Sequence, residues 1–389
     1  MTAYWIALVA VLGALIGSFA NVVVYRWPRG ESVVTPRSRC PSCGRTLAPI
    51  DLVPVLSWLA LRGRCRTCRA PIAPRYARVE AFFGVGFGVL AWAYPVELYG
   101  ATVVPLLALF AMLTTAALID LDTFLLPDAL TLPAALVGVA GAALYARSSG
   151  LPTVTEALVG AAVASGVLVL INRVGGLVLR RFGDTEERLW PFSLDAVNVA
   201  ALAGAIGGWR IALAAGGVQV LASAVARRPV RAPEPLLYAF WLLALVLAAS
   251  GFFLGWGVGV VESAAGTAIG AGAFAFLGAV WWWGAEIASG KRTAPLDEAG
   301  APEDDDGEPV AMGFGDVKLA AALGAMLGWD GFLVGLLFAV VLGAAVGVAQ
   351  RALGGSRFVP FGPFLVVGGF LALAFADALV GWYLGLLGV

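Results

Sequence analysis

Four cysteines, Cys40, Cys43, Cys65 and Cys68, form two C-x2-C pairs with 21 residues between them. A turn at each pair can aim two thiolates at one tetrahedral ion, so the spacing predicts a structural zinc site. A polar loop of roughly 50 residues with little apolar content needs such a staple to fold. Two disulfides are the competing reading, set against the reducing compartment that the loop's charge predicts. The chain has no histidine. That removes Ser-His-Asp triads, Cys-His dyads and His-ligated metals, and leaves acid–base chemistry to carboxylates, a few Tyr and Lys, and these thiols.

Carboxylates in apolar surroundings are the other candidates, because an ionisable group in a membrane helix is costly. Asp120, Asp122 and Asp128 lie where one apolar run ends and the next begins. Asp120 and Asp122 are two positions apart and cannot share a helical face, and Asp120 is the deeper. Asp128 follows Pro127, where a carboxylate ordinarily serves as an N-terminal dipole or cap residue. Far along the chain, Gly313-Phe314-Gly315-Asp316 opens another apolar run. Its glycines let a substrate strand approach closely, and its aspartate waits at a water-accessible pocket. Asp120 and Asp316 on one membrane face make the minimum apparatus of aspartic proteolysis: one carboxylate takes a proton from water, the other donates to the leaving amine. Lys318, on the same helix, is expected to face the headgroups.

These residues need a frame, and composition makes lipid its solvent: 60% of residues are hydrophobic, 13% are charged, and mean hydropathy is +0.90. The net charge of zero implies no nucleic-acid partner. Apolar runs near 4–25, 80–98, 103–119, 130–147, 155–178, 194–210, 211–226, 236–254, 260–286, 314–330, 332–349 and 361–387 predict about twelve spans. The expected fold is an all-α polytopic membrane protein with a small zinc-ribbon-like domain. The first run, 1–26, reads as a retained anchor, since no basic stretch precedes it and no cleavage site follows. Segment 27–79 holds ten arginines, which predicts a cytoplasmic zinc domain and an N-terminus outside. Arg180-Arg181, Arg227-Arg228, Lys291-Arg292 and the stretch from Arg351 to Arg357 fall on the same predicted side. Segment 80–193 then carries the first catalytic candidate, Asp120, 287–312 with Glu303-Asp304-Asp305-Asp306 reads as an acidic linker, and 313–389 holds the Gly313 to Asp316 stretch and the last membrane helices.

Residues 193–209 align without gaps on 313–329 at an offset of 120, matching Val197, Ala200, Ala201, Gly204, Ala205, Gly208 and Trp209 to Val317, Ala320, Ala321, Gly324, Ala325, Gly328 and Trp329. Upstream, Glu156, Gly160, Ala162 and Gly166 echo Glu262, Gly266, Ala268 and Gly272. Together these predict an internal duplication in which 194–286 are extra membrane helices. Ala196 stands opposite Asp316, so Asp195 reads as a relic.

The chain resembles the bacterial type IV prepilin peptidases. The resemblance rests on Gly17-Ser18-Phe19 with Asn21-Val22-Val23, both cysteine pairs, Arg75-Tyr76 with Val79-Glu80, Ile119-Asp120 through Leu126-Pro127-Asp128, Gly313 to Asp316 with Lys318-Leu319, and Pro360-Phe361-Gly362-Pro363. It implies a multi-pass protein of the bacterial cytoplasmic membrane that removes the leader of prepilins or pseudopilins at the cytoplasmic face, with Asp120 and Asp316 catalytic and Gly313, Gly315, Asp128 and Lys318 in support. It also implies N-methylation of the new N-terminus with S-adenosylmethionine, for which the residues themselves offer no nucleotide-type glycine loop. The interval between Asp120 and Asp316 is longer than the family's, and the duplication accounts for it: four added spans, an even number, return Asp316 to the face of Asp120. Two other readings stay open on the residues alone, a transporter with a zinc-stapled domain and a non-enzymatic pilus-assembly scaffold. A transporter would want its charges near the bilayer midplane, where Glu156, Glu262 and Asp377 are the candidates.

Overall fold

The computed structural model describes residues 2–145, 150–179, 191–231, 233–251, 258–289, 313–354 and 359–387. Its α-helices are α1 (Thr2–Arg26), α2 (Leu56–Ala60), α3 (Pro74–Ala93), α4 (Val96–Tyr99), α5 (Val103–Thr123), α6 (Asp128–Ala142), α7 (Val154–Leu179), α8 (Leu194–Ala226), α9 (Glu234–Ala249), α10 (Val260–Ser289), α11 (Phe314–Ala352) and α12 (Gly362–Leu387). Among the described residues the only extended pairings are isolated bridges, Arg39 with Thr46 and Arg64 with Pro71. The fold is therefore all-helical. Most of the acidic linker expected at 287–312 lies outside the described residues, as do Arg180-Arg181 and Lys291-Arg292; residues 287–289 belong to α10. Residues 74–79, assigned above to the polar segment, open α3.

Seven helices, α1, α5, α7, α8, α10, α11 and α12, are long and apolar enough to cross a membrane by length and composition. The expected twelve spans are not reached among the described residues. Of the five missing, the run expected at 80–98 falls in α3, which is not among the seven, and for the other four there are two physical causes. Helices α6 and α9 have 15 and 16 residues, short of the roughly 20 that hydrocarbon requires. And each of α8 and α11 absorbs two expected spans across one non-helical residue, Gly208 (φ 76°) and Gly328 (φ 76°). This left-handed extended backbone suits glycine because no Cβ obstructs it. We call the legs α8a (194–207), α8b (209–226), α11a (314–327) and α11b (329–352). The second leg of α11 runs back toward the end where the first began: Gly335 lies on Gly369 of α12 and Gly343 on Phe364, while Gly362 at the start of α12 touches Asp120.

Small residues let the backbones meet, the usual way helices associate without a hydrophobic driving force between them. Gly160 of α7 abuts the Gly324 carbonyl of α11a, and Gly166 abuts the Ala268 carbonyl of α10. Around these contacts Leu106, Leu109 and Leu113 of α5 pack with Leu319, Leu323 and Met326 of α11a in one buried cluster. A second cluster joins α1 and α3 to α5: Gly13 and Gly17 receive Phe87 and Phe83, and both rings meet Phe110 edge-on at 5.8 Å. These two clusters fix the end of α5 against the start of α11.

Candidate active site and four-cysteine cluster

Asp120 lies in the last turn of α5 and Asp316 in the first turn of α11. They are 5% and 7% exposed, so water reaches each through a narrow opening only. The structure brings them together: the two carboxylates are within electrostatic reach of one another. Asp120 Oδ2 accepts a hydrogen bond from the Gly362 amide at 3.1 Å, and the Asp316 amide donates to the Gly313 carbonyl at 3.2 Å. Leu126, in the turn between α5 and α6, fills the corner. A Cβ on Gly315 would stand 2.8 Å from Leu126 Cβ, and one on Gly362 would stand 2.6 Å from Asp120 Oδ2. Gly313 is exposed, and among the described residues a Cβ on it would meet nothing closer than 3.9 Å, which leaves the side next to Asp316 open as far as those residues go.

Lys318 does not face the headgroups. It is 8% exposed, its Nζ donates to Asp128 Oδ1 at 2.5 Å, and it lies 5.7 Å from the Phe314 ring centre. Burial of an ammonium is tolerable only with such a partner. Asp128 does open α6, with Pro127 at its N-cap, but it also ties that helix to α11. Asp122 turns away from Asp120 and pairs with Arg75 at the exposed surface. Glu156, a candidate for a midplane charge, instead caps α7: its Oε2 accepts from the Thr153 amide at 2.8 Å and the Thr153 hydroxyl at 3.0 Å. Asp377 is exposed on α12, and Asp195 is buried at the start of α8. Residue types alone give no role to Leu126 or Gly362, although both lie in stretches that carry the family resemblance, Leu126-Pro127-Asp128 and Pro360-Phe361-Gly362-Pro363.

The four cysteine sulfurs lie within 4.8 Å of one another, and Cys40 Sγ to Cys68 Sγ is 3.8 Å. That is the edge of a tetrahedron with arms of about 2.3 Å, the Zn–S length, and far beyond a disulfide. The two loops are alike in build. Cys40 and Cys65 each donate their amide to a carbonyl five residues on, Arg45 and Ala70, both at 2.9 Å. Amides of Cys68 and Thr67 pull the Cys65 thiol down to about 6, and amides of Cys43 and Ser42 lower Cys40. At Cys68 an amide from Ala70 acts the same way, but burial and the neighbouring thiols outweigh it and push the thiol up to about 11. A divalent cation binds thiolates and so displaces the protons that crowded sulfurs hold. Asp51 braces the cluster through Arg66 at 2.6 Å, Arg45 at 3.2 Å and the Ala48 amide; the Arg66 hydrogen bond is the main reason its carboxyl sits below the usual range. Glu80 Oε2 accepts the Val55 amide at 2.7 Å, which ties the segment to α3.

Comparison with known proteins places this architecture. A profile of the Bacterial Peptidase A24 N-terminal domain matches residues 11–94, and that of the Type IV leader peptidase family matches twice, over 107–225 and 231–348. The chain belongs to the type IV leader peptidase family. A prepilin leader peptidase/N-methyltransferase of Myxococcus xanthus (strain DK1622) is 38% identical over 221 residues, which covers 53% of this chain and 63% of the relative. One of Aeromonas hydrophila is 26% identical over 408 residues, covering 98% and 94%. A type 4 prepilin-like proteins leader peptide-processing enzyme of Escherichia coli O78:H11 is 34% identical over 226 residues, covering 51% and 82%. No solved structure matches. In this leader peptidase the dyad candidates straddle the two family matches, Asp120 in the first and Asp316 in the second.

Proposed function

We propose that this chain is a prepilin peptidase that hydrolyses one peptide bond of a prepilin or pseudopilin leader with Asp120 and Asp316. The observation that carries it is the meeting of two buried carboxylates from α5 and α11, next to the open side left by Gly313. Two carboxylates this close in a poorly hydrated site hold one proton between them. The ionised member takes a proton from water as its oxygen attacks the scissile carbonyl. The protonated member gives its proton to the departing amine as the C–N bond breaks. Gly315 and Gly362 allow the close approach, and Lys318 with Asp128 hold α6 against α11. The bilayer surrounds the helices, and the polar segment with its arginines faces the cytoplasm with the N-terminus outside. We assign 27–73 to the metal domain, since 74–79 open α3, and 194–286 to the added helices. Cys40, Cys43, Cys65 and Cys68 would hold a structural zinc ion, which supplies folding energy to the segment and no chemistry to the cut. N-methyl transfer is the second activity in the names of the Myxococcus xanthus and Aeromonas hydrophila relatives, and S-adenosylmethionine is the donor that the family resemblance implies for it. The left-handed glycines of this segment, Gly30, Gly44 and Gly63, each sit in a separate tight turn and build no common cradle, so no step is derived through that group. The test is leader removal, followed by mass, from a prepilin by purified chain in vesicles. Asp120→Asn and Asp316→Asn should each lower it by about 10³-fold or more at unchanged helix content, while Asp122→Asn and Asp195→Asn stay near wild type. An active Asp316→Asn variant would end the proposal.

A further inference from the structure

The helix contacts obey an internal two-fold. Gly160 of α7 abuts Gly324 and Gly328 of α11; Gly266 of α10, 106 positions on, abuts Gly204 and Gly208 of α8, each 120 positions back. Gly166 meets Ala268 and Gly272 meets Ala162, a contact that maps onto itself as an isologous interface must. Gly138 of α6 faces Ala325, and Ala244 of α9 clusters with Ala205. The chain thus contains two groups of four helices. The first is α5, α6, α7 and α11a, and the second is α8b, α9, α10 and α8a. Each takes its last helix from the other repeat.

The second group keeps the frame of the proposed site without its acids. Phe124 and Arg227 are the left-handed residues that end α5 and α8b (φ 56° and 52°), and four residues before them stand Asp120 and Ser223. Pro127 and Pro233 are the N-cap residues of α6 and α9. Where α11a has Gly315, Asp316 and Lys318, α8a has Asp195, Ala196 and Asn198. Asn198 borders a narrow cavity between α7, α8a and α9, lined also by Val169, Leu237, Tyr238 and Trp241. Asn198 is 7% exposed, and neither its Nδ2 nor Trp241 Nε1 has a hydrogen-bond partner among the described residues.

We propose that this cavity is a second, non-cleaving binding site for the apolar segment that the first site cuts, and that it grips a backbone carbonyl of that segment. The inference rests on the peptidase reading above. Both of these groups are N–H donors in a lining that is otherwise apolar apart from Tyr238, so they call for an acceptor without net charge. Helical backbone has no carbonyl to spare, whereas a chain unwound at a scissile junction does. The narrowness admits a carbonyl oxygen and not a headgroup.

The experiment uses full-length Asp316→Asn chain, which cannot cut, in nanodiscs with a prepilin peptide carrying a photoreactive leucine just after the junction. Intact mass after illumination should show two peptides per chain, one on the loop before α6 or on α11 and one on α8 or α9. Asn198→Leu should reduce this to one and leave cleavage by the otherwise wild-type chain unchanged, which also reports folding. Leu237→Trp fills the same cavity from α9 and should act alike if Asn198→Leu misfolds. One peptide per chain, on the first site only and indifferent to both variants, overturns the second site and leaves the peptidase reading intact. Absence of linking at the first site strikes the peptidase reading itself.

Discussion

Asp120 and Asp316 lie within electrostatic reach of one another, Leu126 lies against Gly315 and Gly362 against Asp120, and the ion pair of Lys318 with Asp128 ties α6 to α11. Removing one partner of a buried pair strands the other charge, at a cost of about 3 kcal/mol, whereas an apolar replacement of both strands none. Lys318→Met should therefore lower thermal stability and leader removal together, and Lys318→Met with Asp128→Leu should recover much of the stability. A double variant no more stable than the single, by thermal melting in detergent, would mean the pair does not hold α6 to α11. The acids were legible in the sequence because charge in an apolar run is rare and costly. The direction of Lys318 was not: its partner is 190 positions away, and nothing local distinguishes a lysine that snorkels to the headgroups from one that turns inward to a carboxylate. Leu126 was hidden for the opposite reason, being an apolar residue in a chain full of them.

At the scale of elements, hydropathy located nearly every apolar segment but could not tell two helices from one helix folded at a glycine. Gly208 and Gly328 occupy the same place in the repeat, which the sequence displayed, yet their backbone geometry became visible only when the legs of α11 were traced past α12. Glycine tolerance should differ sharply by position. A Cβ on Gly166 would collide with the Ala268 backbone, while one on Gly217 meets nothing within 4 Å. Gly166→Leu should cost roughly 1–3 kcal/mol or more by forcing α7 from α10, and Gly217→Leu should be close to neutral because its side is exposed. Gly328→Ala should cost about 1 kcal/mol or more from left-handed strain alone. Tryptophan fluorescence melts in one detergent decide all three, and equal melting of the Gly166 and Gly217 variants would contradict the close packing of α7 and α10.

For the whole molecule, side-chain hydrogen bonds tie the polar segment to the long helices at few points among the described residues, including the Val55 amide to Glu80 of α3 and Arg26 of α1 to the Ser32 carbonyl at 3.0 Å. Zinc analysis of purified chain should give about one equivalent. Chelation, or Cys65→Ser, should open 30–70 to protease nicking while the helices stay inserted, because the segment has little core of its own. Less than half an equivalent of metal with the thiols found oxidised would refute a zinc role. The cysteine spacing announced this site outright, since two short turns and four soft ligands leave few other uses. What spacing could not announce is the exchange of last helices between repeats, which depends on contacts between Gly160 and Gly324 or Gly266 and Gly204 that no local pattern specifies. That exchange has a mechanical side. A cantilever drawing the protein out of a bilayer by its C-terminus would extract α12 and then α11, dismantling the first four-helix group while the second still stood. The force peaks should therefore follow the interleaving of the two repeats and not their order along the chain.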